Sequence, residues 1–247
     1  MKQIVCMKWG SLYPADYVNK LYAMVSRHLD SEFRFVCLTD DSSGIREEVE
    51  CLPCPKVNIP PPYNNTGWRK ITLWANHLPS MHGQWLFLDL DLVITSDIND
   101  FFNYKPEQPF IVMQNWTQPG TGIGNTSVFR FDVGHYPFLL TELIDKPLQI
   151  IKTFKNEQTF VCKRVEHVVF WPDDWCILFK THCVPALPMR WWKTPTLPST
   201  AKVVAFPGDP NPDMAAIGCW PAKNPIKKVY KTIRPTSWIN EHWHEST

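Results

Sequence analysis

The feature that most constrains this chain is an apolar run at residues 85–94 (WLFLDLDLVI), which two aspartates interrupt. Such a run predicts a strand that is buried on both faces. If the strand continues through Asp89 and Asp91, period-two geometry places both carboxylates on the same side of it. Burying a carboxylate costs several kcal/mol unless positive charge compensates it. The segment therefore needs a cation beside its aspartates.

Two kinds of partner fit this requirement. The first is a divalent ion, because hard carboxylate oxygens favour Mg²⁺ or Mn²⁺, which can also bridge to a nucleotide diphosphate. In the second, Asp91 is a turn or cap residue and Asp89 pairs with a buried arginine or lysine. The position of the two aspartates at the end of a core strand favours the metal ion.

The order of elements around this segment indicates the fold class. Strand patterns at residues 4–7, 33–38 and 84–90 alternate with helical patterns that begin near residue 13 and at residues 68–77. This order predicts an α/β domain with a mostly parallel central sheet and helices on both faces. Ligands of such sheets bind at the carboxyl ends of the strands.

The second half of the chain is less regular. Strand patterns occur at residues 110–113, 127–131 and 202–206, and a helical pattern surrounds residues 157–163. Prolines are dense from Pro185 onward, which predicts long, packed loops rather than a second domain.

Composition excludes several classes of function. The 247 residues are 44% apolar, enough for a large core, and the net charge of +1 creates no general attraction to nucleic acid. No apolar run approaches the roughly 18 residues of a membrane span, and the first residues do not form a secretory signal. We therefore expect a cytoplasmic protein whose 8 cysteines are reduced thiols.

Residues 87–94, followed by Asp97, resemble the D-x-D region of GT-A glycosyltransferases. The segment is most similar to glycosyltransferase family eight and to related bacterial polysaccharide and lipopolysaccharide sugar transferases. Four further segments resemble that family in the same order: residues 36–40, 68–70, 125–130 and 156–160.

The resemblance implies a single GT-A domain over residues 1–247. Residues 1–100 are then the nucleotide-binding half, and residues 101–247 the acceptor half with a loop-rich C-terminal part. The implied activity is metal-assisted, retaining transfer of a sugar from a nucleotide diphosphate sugar, UDP-linked, to a saccharide or lipid-linked acceptor, with Mn²⁺ or Mg²⁺ as cofactor. Glu157 and Gln158 match the segment near the anomeric carbon and are the expected catalytic residues. The alternative is a non-catalytic or inactivated sugar-nucleotide-binding protein.

The resemblance also assigns binding residues. The metal ligands are expected at Asp89 and Asp91. The donor and its nucleotide are expected to contact Lys8, Asp40, Lys70, Asp89, Leu90, Asn125 and Gly208. Lys70 carries positive charge of the kind that a leaving diphosphate needs. Asp40 either accepts hydrogen bonds from ribose or base, or forms a turn beside Asp41.

One position departs from the family pattern. Where the family carries a histidine between phenylalanine and glycine, as the third protein ligand of the metal, this chain has Pro207 between Phe206 and Gly208. A proline side chain cannot bind a metal. Asp209 is the expected substitute, and water can also complete the shell of Mg²⁺ or Mn²⁺.

Several C-terminal segments offer contacts to an acceptor. Residues 226–234 are basic and partly amphipathic, which fits either peripheral contact with the inner face of a membrane that carries a glycolipid acceptor, or a plain surface helix. Trp191 and Trp192 could line an acceptor groove, although we expect a buried pair. If the enzyme inverts configuration instead, Asp173 or Asp174 is the candidate base, with an exposed turn as the alternative.

Overall fold

The computed structural model describes residues 1–222 and 224–247. The strands in this part of the chain are β1 (Lys2–Lys8), β2 (Phe33–Thr39), β3 (Glu50–Pro53), β4 (Gln84–Leu88), β5 (Leu92–Ile94), β6 (Phe110–Gln114), β7 (Gly124–Asp132), β8 (Val169–Phe170), β9 (Cys176–Leu178) and β10 (Val203–Ala205). The α-helices are α1 (Ala15–His28), α2 (Asp100–Asn103), α3 (Phe138–Asp145), α4 (Pro147–Phe154), α5 (Glu157–Arg164), α6 (Pro212–Ala216), α7 (Pro225–Tyr230) and α8 (Ser237–His242). There are also 3₁₀-helices at Tyr63–Asn65, Gly67–Trp74 (the long 3₁₀-helix) and Met189–Trp191, and a π-helix at Phe179–Cys183. None of these described helices is long and apolar enough to cross a bilayer.

The chain divides into two compact units. The first unit consists of Met1–Val18, Ser31–Leu90 and Phe101–Trp171. The second unit consists of Asn19–Asp30, Asp91–Asp100 and Pro172–Thr247. The division falls inside the Asp-Leu-Asp tripeptide, so Asp89 belongs to the first unit and Asp91 to the second.

Seven strands form the sheet of the first unit, in the order β3-β2-β1-β4-β7-β6-β8. Strands β3, β2, β1 and β4 pair in parallel, and β8 is parallel to β6. Strand β7 is antiparallel to both of its neighbours. The sheet is therefore mostly parallel, and the α/β fold class predicted from the sequence is confirmed.

Aromatic side chains join this sheet to the helices of the same unit. Phe87 of β4 and Phe129 of β7 stack with their ring centroids 4.7 Å apart. Trp74, at the end of the long 3₁₀-helix, stacks on Phe129 at 6.0 Å, and Trp68 of the same helix contacts Phe160 of α5. Each buried ring contributes about 2–3 kcal/mol by leaving water. These contacts hold the long 3₁₀-helix and α5 against one face of the sheet.

The strand predicted over residues 84–90 is too long. Strand β4 ends at Leu88, and the next N–H, of Asp89, donates to the Ser127 carbonyl at 2.9 Å. Strand β5 then pairs with β10 in a different sheet. Asp89 and Asp91 therefore do not lie on one continuous strand, and the condition on which the period-two expectation rests is not met.

The helix predicted over residues 68–77 is the long 3₁₀-helix. It ends at Trp74, and the bonds at its two ends run three residues back, from Arg69 to Thr66 and from Ala75 to Thr72. After Trp74 the backbone becomes extended at Ala75. Six of the eight residues of this 3₁₀-helix are buried. This is a larger share than in an amphipathic surface helix, which buries only one face.

The second unit contains a three-stranded sheet in the order β5-β10-β9. Strand β10 is antiparallel to β5 and parallel to β9. Phe206, directly after β10, stacks on Phe179 with ring centroids 4.6 Å apart, and Trp238 of α8 contacts Phe179. The rest of the unit consists of loops and short helices, which agrees with its proline content.

The two adjacent tryptophans of the second unit are not a buried pair, so that expectation is wrong. Trp191 is 48% exposed and Trp192 is 59% exposed. Trp191 ends a single 3₁₀ turn and Trp192 follows it. The Trp191 indole N–H donates to the Val229 carbonyl of α7 at 3.1 Å. Both rings therefore present apolar surface to solvent.

Candidate functional site

Four polar residues expected at the site lie at one edge of the first unit's sheet. Lys8 ends β1, Asp40 follows β2 and Asp89 follows β4. These strands are parallel neighbours, so their carboxyl ends share an edge. Asn125 lies at the same edge because β7 is antiparallel to β4 and begins there. The fold thus brings together residues that are far apart in the sequence.

An ion pair joins Lys70 and Asp89 at this edge. Lys70 Nζ lies 2.6 Å from Asp89 Oδ2 and also donates to the Thr126 carbonyl at 3.0 Å. The two side chains are only 10% and 20% exposed, so salt and water screen the pair weakly. For Asp89, a lysine partner is the second of the two interpretations that the sequence leaves open.

Glu157 is connected to this pair through Thr126. It is the first residue of α5, and Asn156 caps that helix by accepting a hydrogen bond from the Thr159 N–H at 2.9 Å. The Glu157 side chain is buried, and its Oε2 accepts a hydrogen bond from the Thr126 hydroxyl at 2.8 Å. Since the Thr126 carbonyl binds Lys70, Thr126 links the Glu157 carboxyl to the Lys70–Asp89 pair.

Burial raises the pKa of Glu157 to about 7. The charge of Lys70 and the hydrogen bond from Thr126 lower this pKa, whereas the charge of Asp89 raises it. Glu157 Oε1 is buried without a hydrogen-bond partner among the described residues. The carboxyl therefore exchanges its proton near neutral pH, well above the usual range of a glutamate.

Two polar contacts join the loops that follow β1 and β2. The buried Lys8 donates from Nζ to the Asp41 carbonyl at 3.1 Å. Asp40 Oδ2 accepts a hydrogen bond from the Gly10 N–H at 3.0 Å. Asp40 is exposed, so its carboxylate is accessible to hydrogen-bond donors of a ligand.

The other expected residues of the first unit differ in exposure. Asn125 is buried, and its Oδ1 accepts a hydrogen bond from the Ser127 N–H at 2.9 Å, which braces the start of β7. Leu90 is also buried. Gln158 is half-buried and follows Glu157 in the first turn of α5. Of these three side chains, Gln158 is the most accessible to a ligand.

In the second unit, Asp91 lies beside the loop that follows β10. Asp91 is buried, and its carbonyl accepts a hydrogen bond from the Phe206 N–H at 2.9 Å. Pro207, Gly208 and Asp209 continue the loop, and Gly208 and Asp209 are exposed. Gly208 has a φ of 64°, and a Cβ built there meets no atom within 4 Å. Its backbone conformation, rather than a close neighbour, favours glycine.

Lys180, which the sequence did not single out, also lies at this loop. Its Nζ donates to the Pro207 carbonyl and to the Asp209 carbonyl, the latter at 3.2 Å. Lys180 belongs to the π-helix that follows β9, and β9 is parallel to β10. Lys180 and Pro207 therefore follow neighbouring strand ends, a proximity that no local sequence motif reveals.

The surroundings of Lys180 contain both signs of charge. Burial lowers the pKa of Lys180, and the charge of Lys231 lowers it further. The carboxylates of Asp209 and Asp91 act in the opposite direction. The ammonium group is thus partly removed from water and lies within electrostatic range of both aspartates.

The residues expected to bind Mn²⁺ or Mg²⁺ do not form a three-ligand protein site. Asp89 pairs with Lys70, and Pro207 has no ligating side chain. In the described part of the chain, no three His, Cys, Asp or Glu side chains are grouped to hold a metal ion. Lysines lie near both aspartates of the tripeptide instead, Lys70 near Asp89 and Lys180 near Asp91. The metal ion itself stays a prediction.

Solved structures of glycosyltransferases share this fold. Galactosyltransferase LgtC, in complex with donor and acceptor sugar analogues, matches with a TM-score of 0.58 and 13% identity over 85% of this chain and 88% of that chain. GlyE of Streptococcus pneumoniae TIGR4 matches with a TM-score of 0.59 and 14% identity over 86% of this chain and 56% of GlyE. The bifunctional glycosyltransferase WbbM matches with a TM-score of 0.52 and 10% identity over 85% of this chain and 46% of WbbM.

No protein-family model matches the chain, and no curated protein matches it. The likeness to the solved structures is therefore one of fold, at 14% identity or less. It confirms the architecture that the sequence resemblance implies.

Proposed function

On the premise of this GT-A fold, we propose that the chain transfers a sugar from a nucleotide diphosphate sugar, UDP-linked, to a saccharide or lipid-linked acceptor. The observation that carries the proposal is the connected set Asp89, Lys70, Thr126 and Glu157 at the carboxyl edge of the sheet. Ligands of α/β sheets bind at this edge. Buried charges and a carboxyl with a strongly raised pKa are costly for stability, and such groups concentrate at functional sites.

The proposed reaction exchanges one bond at the anomeric carbon. The bond from that carbon to the diphosphate oxygen breaks, and the nucleoside diphosphate leaves with the electron pair. The acceptor hydroxyl oxygen forms the new bond, and its proton passes to the leaving phosphate oxygen. Negative charge develops on the diphosphate, and the ammonium of Lys70, fixed by Asp89 and Thr126, supplies preorganised positive charge.

Glu157 and Gln158 have different roles in this proposal. Glu157 is buried and holds Thr126, so we assign it the positioning of Lys70. Gln158 is half-buried beside it and is the proposed contact to the donor sugar. A buried glutamate is poorly placed to attack the anomeric carbon as a nucleophile. This argues against a double displacement through a glycosyl-enzyme. For the retention that the resemblance implies, we therefore propose that the leaving diphosphate and the attacking hydroxyl share one face of the sugar.

Exposed side chains supply the remaining proposed contacts to the donor and the acceptor. Asp40 is exposed at the end of β2 and is the proposed partner of ribose or base hydrogen-bond donors. Trp191 and Trp192 expose ring faces of the kind on which sugars stack. Lys228, on the exposed face of α7, favours contact with anionic lipid if the acceptor is lipid-linked.

No step of this proposal depends on Mn²⁺ or Mg²⁺. The described residues do not form a three-ligand protein site for such an ion. Lys70 supplies part of the positive charge that the reaction needs, and the metal ion stays a prediction.

The experiment is a donor screen on the purified full chain. We expect one UDP-sugar, among UDP-, GDP- and CMP-sugars, to give nucleotide release and a glycosylated product by mass spectrometry with a panel of saccharide acceptors. Gln158→Ala is expected to lower kcat/KM at least tenfold. Glu48→Gln, at an exposed carboxylate paired with Arg46, is the control and is expected to leave it unchanged.

Two results would change the proposal. Binding of a sugar nucleotide without turnover, across the acceptor panel, favours the non-catalytic alternative. If none of the sugar nucleotides binds or reacts, with or without Mn²⁺, the proposed function is wrong.

A further inference from the structure

A cleft of about 430 Å³ opens in the first unit, at the edge of its sheet opposite to Asp89. Phe110, which lines the cleft, begins β6 and pairs with Phe131 near the end of β7, whereas Asn125 lies near the start of β7. The strand from Asn125 to Phe131 spans about 20 Å, at roughly 3.3 Å per residue. The cleft is therefore separate from the carboxyl edge of the sheet, and its volume is in the range of small-molecule sites.

Two aromatic side chains form a preorganised wall of this cleft. The rings of Tyr136 and Phe138 meet edge to face with their centroids 6.1 Å apart, and Phe138 is 37% exposed. Tyr136 is also fixed from behind by the ring of Trp74, at 5.9 Å. The turn before Tyr136 needs Gly134, because a Cβ there would lie 2.7 Å from the Asn76 carbonyl oxygen. The rings thus hold their positions before a ligand binds.

Hydrogen-bonding side chains complete the lining. Gln108, Glu166 and His167 contribute an amide, a carboxylate and an imidazole, and none of the three side chains has a hydrogen bond to another described residue. His167 has a φ of 56°, a conformation that is uncommon for residues other than glycine and that concentrates at ligand sites. Burial raises the pKa of Tyr136, and the charges of Asp132 and Glu166 raise it further. The phenol therefore stays protonated at neutral pH and can donate.

The cleft continues past an ion pair. Arg164 donates from Nε to Glu142 Oε2 at 3.0 Å and from a second nitrogen to the other carboxylate oxygen, which leaves three of its five N–H groups for a ligand. Arg164 also lines a second cleft of about 280 Å³, together with Lys146 and Gln149. We call the two clefts together the distal groove. Two basic and three acidic side chains line it, so its charge favours a neutral ligand over an anion.

We propose that the distal groove binds a neutral saccharide chain. The rings of Tyr136 and Phe138 match the apolar C–H faces of sugar rings. The amide, phenol, imidazole and carboxylate groups match sugar hydroxyls, each of which both donates and accepts. The inference goes beyond the proposed function, because the groove lies at the other edge of the sheet and can hold a saccharide while the proposed transfer site holds its donor.

The test is saturation-transfer difference NMR on the purified full chain, with neutral hexasaccharides of glucose, galactose and mannose as probes. We expect at least one probe to bind without any nucleotide, and titration gives its dissociation constant. Phe138→Ala removes the exposed ring and is expected to weaken binding about tenfold. Tyr136→Phe removes only a hydroxyl and is expected to weaken it about threefold to tenfold. Phe138→Tyr keeps an aromatic ring and is expected to bind as the unchanged chain does.

Ile144→Ala is the matched control. Ile144 lies on the same helix as Phe138 and is 57% exposed, but it does not line the distal groove. We expect this variant to bind the saccharide with unchanged affinity. Thermal melting of all four variants separates loss of binding from loss of folding, and the exposed Phe138 supplies the answer if Tyr136→Phe does not fold.

Three results would overturn the inference. The first is that no neutral hexasaccharide binds, and the second is saccharide binding that neither Phe138→Ala nor Tyr136→Phe weakens. The third is a dimer in sedimentation that Phe138→Ala dissociates, which would assign the groove to a second copy of the chain. The donor screen is independent of these measurements. Saccharide binding in the groove without binding or turnover of any sugar nucleotide would leave this inference standing and show that the proposed function is wrong.

Discussion

The Lys70 ammonium lies 2.6 Å from the Asp89 carboxylate and 3.0 Å from the Thr126 carbonyl. One lysine thus joins the end of β4 to the start of β7, in the interior of the first unit. Because the Thr126 hydroxyl also binds Glu157, three charged side chains form one connected network. Substitutions at Lys70, Glu157 and Thr126 therefore each alter one group of this network.

Removing the lysine of the ion pair is expected to be strongly destabilising. In Lys70→Met the carboxylate of Asp89, 20% exposed, loses its partner. Breaking a buried pair from one side leaves an uncompensated charge, and we expect the free energy of unfolding to fall by about 3 kcal/mol. Chemical denaturation at pH 7 measures this loss.

Two further variants check that the loss comes from burial of the charge. Lys70→Met combined with Asp89→Asn removes both charges and is expected to recover part of the stability. Arg34→Met breaks the more exposed pair with Glu50, whose side chain is 41% exposed, and is expected to cost less than about 1 kcal/mol. Equal losses at the two pairs would contradict the prediction.

Glu157 is expected to make the protein less stable as the pH rises. Its pKa is raised to about 7 in the folded state, above the ordinary value of 4.5. Between these values the folded state keeps the proton and the unfolded state loses it, so the free energy of unfolding falls with pH. The contribution is fully present below the ordinary pKa and is lost through about pH 7. The total loss is about 3 kcal/mol.

Glu157→Gln tests this pH dependence, because the amide has similar shape and does not titrate. We expect its stability to exceed that of the unchanged chain by more at pH 8 than at pH 5, as measured by denaturant unfolding at each pH. Parallel curves for the two proteins across this range would show that Glu157 titrates at its ordinary pKa.

The Thr126 hydroxyl lowers the pKa of Glu157, and its removal is expected to raise that pKa further. Thr126→Val deletes the hydrogen bond of 2.8 Å while it keeps the volume of the side chain. The pH at which stability is lost should then move upward, and the free energy of unfolding should fall by about 1–2 kcal/mol. Thr126→Ser keeps a hydroxyl and is expected to behave as the unchanged chain does.

Hydrophobic patterning predicted the central strands of the large sheet. The strands around Val36, Phe87 and Phe129 were expected within a few residues, because continuous apolar runs bounded by polar residues have few alternatives. The end of β4 at Leu88 was not predicted, because Asp89-Leu90-Asp91 continues the polar and apolar alternation of a strand. Its pairing depends on Ser127, which is distant in the sequence and invisible to local periodicity.

The candidate site was predicted where a motif marks it and missed where contacts alone create it. Asp89, Lys70 and Glu157 were expected because each lies in a segment that resembles a known family. The bridging role of Thr126 and the anchoring of Lys180 depend on hydrogen bonds between distant segments. No spacing or composition in the sequence indicates such contacts.

Gly124, at the start of β7 beside Asn125, is expected to tolerate no side chain. A Cβ at this position would lie 2.4 Å from Val112 Cγ1 and 3.1 Å from the Met113 carbonyl oxygen. The register of β6 and β7 shifts at this point, so the two backbones have little freedom to separate. We expect Gly124→Ala to cost about 1–3 kcal/mol by overpacking, measured as a lower midpoint of denaturant unfolding.

Two comparisons show whether the close approach of the new Cβ to Val112 causes the loss of stability in Gly124→Ala. Combining Gly124→Ala with Val112→Ala removes the methyl groups that the new Cβ meets, and it should cost less than the sum of the two single changes. Gly67→Ala introduces a Cβ with no atom within 4 Å and should change stability by about 0.5 kcal/mol or less. If the double variant is no more stable than this sum, the steric cause is excluded and the strain lies in the backbone at Gly124.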